Sequence, residues 1–210
     1  MSDESILEGE PFGRLTWDGD DWTGRVVLPG WAEFQTRLGP YAHLRSDKPS
    51  DGTADLYVFT DGEQPPSQAQ ARAFVHLTQN EPAVTRAVQE AILAEYPRLR
   101  TVYGRLQPVA GSPEIMPHVR SIGDLRPVIG LATVHILEEE RDGIAYVGFE
   151  FGCSWDVEHG LGVMTHAGRV VEIGQADLSF QPPDADDEEI DGGARASTPP
   201  RPPRWWEFWK

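Results

Sequence analysis

Residues 149–177 hold the densest set of side chains able to bind metals or carry protons. They read Phe-Glu-Phe-Gly-Cys-Ser-Trp-Asp-Val-Glu-His-Gly-Leu-Gly-Val-Met-Thr-His-Ala-Gly-Arg-Val-Val-Glu-Ile-Gly-Gln-Ala-Asp. Cys153, Asp156, Glu158, His159, His166 and Asp177 are each potential ligands or proton carriers. A hairpin joining Phe151 to Leu161 would bring Cys153 near His166, and zinc accepts such N, O and S donors at about 2.0–2.3 Å. Asp156, Glu158, His159 and His166 are then the metal set. A cysteine enzyme would instead use Cys153 as nucleophile, with His159 or His166 as its base. No Cys-x-x-Cys or His-Glu-x-x-His spacing occurs, and Phe151 and Trp155 flank Cys153 as they would a buried, inert thiol. The residue types therefore favour an architectural role. Trp155 packs, Asp156 caps a turn by accepting backbone N–H groups, and Gly160 takes a positive φ. No catalytic residue, metal or cofactor is expected.

A second concentration lies at the C-terminus, where Arg204-Trp-Trp-Glu-Phe-Trp-Lys210 packs four large aromatics into seven residues. Each can bury on the order of 150–250 Å². Arg204, Trp205, Trp206, Phe208 and Trp209 are thus expected to dock on another protein, the Trp and Arg acting as anchors. The domain's own surface is a second destination and a membrane interface a third, with Arg201, Arg204 and Lys210 meeting anionic lipid. Residues 181–203 read as a disordered tether, acidic from Asp184 to Asp191 and then polyproline-like at Pro199-Pro-Arg-Pro-Pro203.

Elsewhere the chemistry is thinner. His76, His118 and His135 have no partner by spacing and read as surface or satisfied histidines. Asp18, Asp20 and Asp21 lack the glycine and terminal glutamate of an EF-hand loop and read as a solvated hairpin turn.

The elements that must position these groups follow from periodicity. Gly13–Trp17 and Trp22–Leu28 flank Asp18-Gly-Asp-Asp21 as a hairpin, Trp31–Leu38 alternates as a third strand, and Asp55–Thr60 supplies a fourth. Ser67 caps a helix running to Gln79. A second helix starts at Asn80-Glu81-Pro82, repeats Val84, Ala87, Val88, Ala91 and Ile92 along one face, and ends at Tyr96 before Pro97. Residues 104–120 read as a loop, with one capped turn possible at Ser121–Asp124. Strands return at Leu131–Glu138 and Ile144–Phe151 around Asp142-Gly143, and at Leu161–His166 and Arg169–Ile173 around Ala167-Gly168. Strands, helices, then strands predict an α+β fold, a mainly antiparallel sheet with the mid-chain helix pair packed on one face. The boundaries are a flexible N-terminus at 1–11, a globular domain at 12–180, the tether at 181–203 and the aromatic peptide at 204–210.

The Cys-x-Trp-Asp-x-Glu-His-Gly-Leu-Gly-Val stretch, formed by Cys153, Trp155, Asp156, Glu158, His159, Gly160 and Gly162 with their neighbours, resembles an uncharacterised bacterial domain of unknown function. The Gly13-Arg-Leu-Thr-Trp-Asp opening and the helix pair fit the same family over residues 12–180. The resemblance implies a cytoplasmic protein with no known reaction, and relatives are linked by analogy to toxin immunity.

Composition narrows the function classes. The 210 residues carry a formal charge of −16, and residues 181–210, with seven acidic and four basic groups, account for little of it. A body near −13 repels phosphate backbones, which excludes nucleic acid and favours a basic protein partner. One cysteine, no signal sequence and no long apolar run predict a cytoplasmic chain. The expected function is a non-enzymatic protein-interaction module, immunity-type or adaptor. The alternatives are the metal or cysteine enzyme above and peripheral membrane attachment through the tail.

Overall fold

The computed structural model describes residues 5–36, 48–103 and 116–181. They form an eight-stranded sheet in which spatial order follows chain order. The strands are β1 (Ile6–Gly9), β2 (Gly13–Trp17), β3 (Trp22–Val27), β4 (Thr53–Val58), β5 (Ile129–Arg141), β6 (Ile144–Cys153), β7 (Leu161–His166) and β8 (Arg169–Gly174). Neighbours are antiparallel except β4 and β5, which run parallel. Between those two lie helices α1 (Gln68–Gln79) and α2 (Glu81–Tyr103), with the short α3 (Ile122–Leu125) just before β5. The mainly antiparallel sheet and mid-chain helix pair match expectation. The fit to an α+β class is loose, because β4, the helix pair and β5 form a parallel crossover, the unit of α/β proteins.

Local chemistry accounts for most of these elements. The β5–β6 and β7–β8 hairpins turn through Asp142 and Gly143 (φ 53 and 72) and through Ala167 and Gly168 (φ 46 and 75). Two consecutive positive φ values give a turn whose twist matches the flanking strands. Ser67 caps α1 by accepting from Gln70 N, while Gln70 Oε1 accepts from Ser67 N. Ser121 and Asp124 form the same reciprocal box at α3.

Three expectations are corrected. Pro97 does not end α2, which continues to Tyr103. A helical proline costs about 3 kcal/mol, and the last turns are anchored instead by buried Tyr96 and Leu99, by Tyr96 Oη donating to Pro117 O (2.9 Å) and by Arg100 Nε donating to Met116 O (3.0 Å). The described part of the expected Trp31–Leu38 strand is a turn with one bridge residue at Thr36, and residues 37–38 lie outside the described residues. Pro29–Trp31 is a 3-10 turn, Glu33 sits at φ 67, and Trp31 and Phe34, three residues apart, are buried together with rings 5.0 Å apart. Period three, not two, satisfied these side chains. Finally, the N-terminal segment expected to be flexible contains β1, whose Leu7 lies opposite Leu15 and packs on the core. Four residues carry too little periodicity to register alone, and the free edge of β2 supplies the ladder.

The two sheet faces differ. On one, Leu56, Val58, Val134, Ile136, Val147, Phe149 and Val163 join Ala73, Phe74 and Leu77 of α1 and Val88, Ile92 and Tyr96 of α2 in a single core. The other face alternates with these positions and carries Asp55, Tyr57, Thr133, His135, Gly148, Glu150, Gly162 and Met164. It is covered only in part, by a 3-10 helix at Ala176–Phe180 that follows β8. That segment lies flat because two strand residues lack side chains. A Cβ at Gly148 would overlap the Ser179 carbonyl, and one at Gly162 would overlap that of Gln175. Leu178 then joins Leu137, Tyr146, Met164 and Phe59 in a second, smaller cluster.

Gly148→Ala is therefore expected to lower stability by about 1–3 kcal/mol in urea unfolding, by forcing the 3-10 helix off the sheet. Gly123→Ala in α3, where the added methyl meets only Ser121 Oγ at 3.6 Å, serves as the tolerated control.

Candidate functional site

Asp156 organises the Cys153–Gly160 connection between β6 and β7. Its Oδ1 accepts from His159 N and pairs with His159 Nδ1, both at 3.0 Å, and its Oδ2 accepts from Tyr103 Oη (3.2 Å) and Gln175 Nε2 (3.4 Å). Gly160, at φ 64, closes the turn by donating to Asp156 O (2.9 Å), and a Cβ there would lie 2.5 Å from Phe151 O. Trp155 is buried edge-on against Tyr96, ring centroids 5.5 Å apart. Burial and the neighbouring Asp156 carboxylate hold the Tyr103 phenol well above its ordinary range.

The candidate metal and nucleophile residues do not converge. Cys153 is buried and donates to Asp156 O (3.4 Å). His159 is largely exposed, and Glu158 and Asp177 are exposed. The hairpin does not bring Cys153 to His166, because β7 runs away from the turn and places His166 about 17 Å along the strand from Leu161. There its Nε2 faces Arg141 O (2.9 Å) and Ile144 O (3.2 Å), a donor geometry, with its ring 4.9 Å from Tyr146. Among the described residues, no group of three or more His, Cys, Asp or Glu side chains is placed to hold a metal ion. The Asp156–His159 pair orients an imidazole, and within the turn its evident work is capping. Arg204, Trp205, Trp206, Phe208 and Trp209 lie outside the described residues, as does the 182–203 tether.

Sequence reasoning missed a cluster on the open face. His135, in the middle of β5, is 6% exposed, and its Nε2 lies 3.3 Å from Glu150 Oε2 on β6. Three rings surround the imidazole, with centroids at 5.8 Å (Tyr57), 5.5 Å (Phe59) and 5.4 Å (Phe180). His135 Nδ1 is buried and has no hydrogen-bond partner. Carboxylates gather beside this cage. Burial first, then Asp18, Asp55, Asp21 and Glu150, raises the Tyr57 pKa, and burial with Asp18 and Asp20 raises that of Asp21. Arg25 stands next to them, paired with Asp55 at 2.6 Å. The missed signal was the alternation Thr133, His135, Leu137, which puts His135 on the face away from the helices. The Asp142-Gly143 hairpin could have placed Glu150 beside His135, whereas Tyr57 of β4, Phe59 just after it and Phe180 of the C-terminal 3-10 helix are joined to it by no spacing rule.

Residues 12–180 match a protein family described only as a domain of unknown function (DUF6985). The chain belongs to this family. No curated protein and no solved structure matches it. The DUF6985 domain thus spans β2 through the C-terminal 3-10 helix, with β1 just outside the matched residues. No helix among its described residues is long and apolar enough to cross a membrane.

In the DUF6985 domain, Asp156→Asn is expected to lower the Tyr103 titration, with burial still holding it above that of an ordinary phenol, near 10, as read by phenolate absorbance. The wild-type folded state holds the Tyr103 proton more tightly than the unfolded chain does. Its contribution to stability is complete below the ordinary phenol range and is lost as pH rises through the folded-state value. The variant should therefore lose less stability over that alkaline interval.

Proposed function

We propose that this DUF6985 domain is a non-enzymatic interaction module, immunity-type or adaptor, that receives a basic protein partner on the open face of its sheet. The observation that carries the reading is the sheet register, which sets Glu150 and Asp55 on the same face as Tyr57 and His135, with Asp18 and Asp21 of the β2–β3 turn near enough to raise the Tyr57 pKa. Carboxylates held together on a sheet focus a negative potential that steers a cationic partner to one place. Tyr57, with an apolar body and a polar tip, suits the centre of such a contact. The net charge of −16 extends the same field over the whole chain. In this reading the protein is cytoplasmic and bacterial, and Arg204, Trp205, Trp206, Phe208 and Trp209 supply a second, tethered contact.

Calorimetric titration of the full chain with an arginine- and lysine-rich peptide, and with a glutamate-rich peptide of equal length, tests the reading. The basic peptide is expected to bind at low salt and weaken as salt rises, and the acidic one is not expected to bind. Neutralising the face with Asp21→Asn, Asp55→Asn and Glu150→Gln together should weaken binding about tenfold, or roughly 1.4 kcal/mol. Neutralising Glu138, Glu139 and Glu140, exposed near the end of β5, should leave it within about twofold. Equal losses for the two triple variants would refute a localised site.

A further inference from the structure

His135 is the group on this face whose chemistry the partner contact leaves unused. A neutral imidazole that donates through Nε2 to Glu150 buries the Nδ1 lone pair without a partner, which is costly inside a protein. Protonation changes three interactions at once. The contact with Glu150 becomes an ion pair, the rings of Tyr57, Phe59 and Phe180, with centroids 5.4–5.8 Å away, come within cation–π range of a charge, and the field of the nearby carboxylates turns attractive. Desolvation of the imidazolium opposes these gains, and the neighbouring carboxylates act in the other direction. The β2–β3 turn contributes Asp21 with Asp18, β4 contributes Tyr57, and β6 contributes Glu150. Arg25 is the nearby cation, and it is engaged by Asp55. The C-terminal 3-10 helix, Ala176–Phe180, adds exposed Asp177 and no basic residue.

Phe180 makes this arrangement more than a static pair. It ends the 3-10 helix, is 40% exposed, and its ring centroid lies 5.4 Å from that of the imidazole at an interplanar angle of 66°. The same segment is seated on Gly148, which lies directly opposite His135. The charge on one imidazole is thereby connected to the docking of the last described segment of the chain.

We infer that His135 is a pH-operated latch: protonation clamps Ala176–Phe180 against the sheet and reduces the negative charge offered to a basic partner, and deprotonation loosens the clamp and restores that charge. The clamp stands on the geometry alone, whereas its effect on binding rests on the partner reading above. A docked state that prefers the imidazolium is held more firmly below the imidazole titration than above it.

The test is nuclear magnetic resonance of the full chain from about pH 5 to 8, the range in which histidine acts as a switch. The His135 ring signals and the hydrogen-exchange protection factors of residues 178–180 are followed together. Protection is expected to fall about fivefold as His135 loses its proton. It should stay flat in His135→Gln, and Glu150→Gln should move the His135 titration to lower pH while leaving the imidazole in place. Basic-peptide affinity should rise over the same interval in wild type and stay level in His135→Gln. Flat or rising protection in wild type, or the same fall in His135→Gln, overturns the latch. An intact protection change with no peptide binding at any pH overturns the effect on partner binding alone and, with it, the partner reading.

Discussion

Strands β4 and β5 lie side by side and point the same way, and much of the molecule is arranged by that pairing. A parallel neighbour cannot be reached by a tight turn, so the chain must leave the sheet at one end and return to it at the other. The two helices make that journey, and their apolar stripes oblige them to make it against the sheet. One face is thereby committed to the core, through Leu56, Val134, Ile136 and Phe149. The opposite face of the same strands was left free to carry Asp55, Tyr57, His135 and Glu150. The acidic surface and the hydrophobic core are two sides of one topological constraint.

Where sequence and structure agree, the cause is local. Asp142-Gly143 and Ala167-Gly168 announce their hairpins because the turn chemistry is contained in two residues, and Ser67 announces α1 because its hydrogen-bond partner is three residues away. Where they part, the deciding contact is distant. The carbonyls of Met116 and Pro117 hold the end of α2 past Pro97. Trp31 and Phe34 are pulled into one pocket by the core, and Trp31 also meets Phe151 at 4.8 Å. His135 meets Tyr57, Phe59 and Phe180 from segments that no spacing rule connects. The sheet, the helix pair and the acid balance were legible, and the cage around His135 was not.

The most conspicuous motif forms a joint between segments. Asp156 gathers His159, Tyr103 and Gln175 into one hydrogen-bonded turn, and so fixes the end of α2 and the approach to the 3-10 helix to the β6–β7 connection. The glycines on either side of Leu161 do different work. Gly160 is needed for its backbone angle, and Gly162 for the absence of a side chain beneath the Gln175 carbonyl. The Asp156 turn ties three segments together at one corner of the sheet.

Cys153 closes β6 opposite Ile129, deep enough that a reagent in solvent does not reach its sulfur in the folded protein. It is the sole thiol in 210 residues. The protein therefore carries an internal clock for its own opening. The rate at which that one sulfur is alkylated times how often the end of β6 beside Ile129 opens, with no label to attach and no second cysteine to confuse the count.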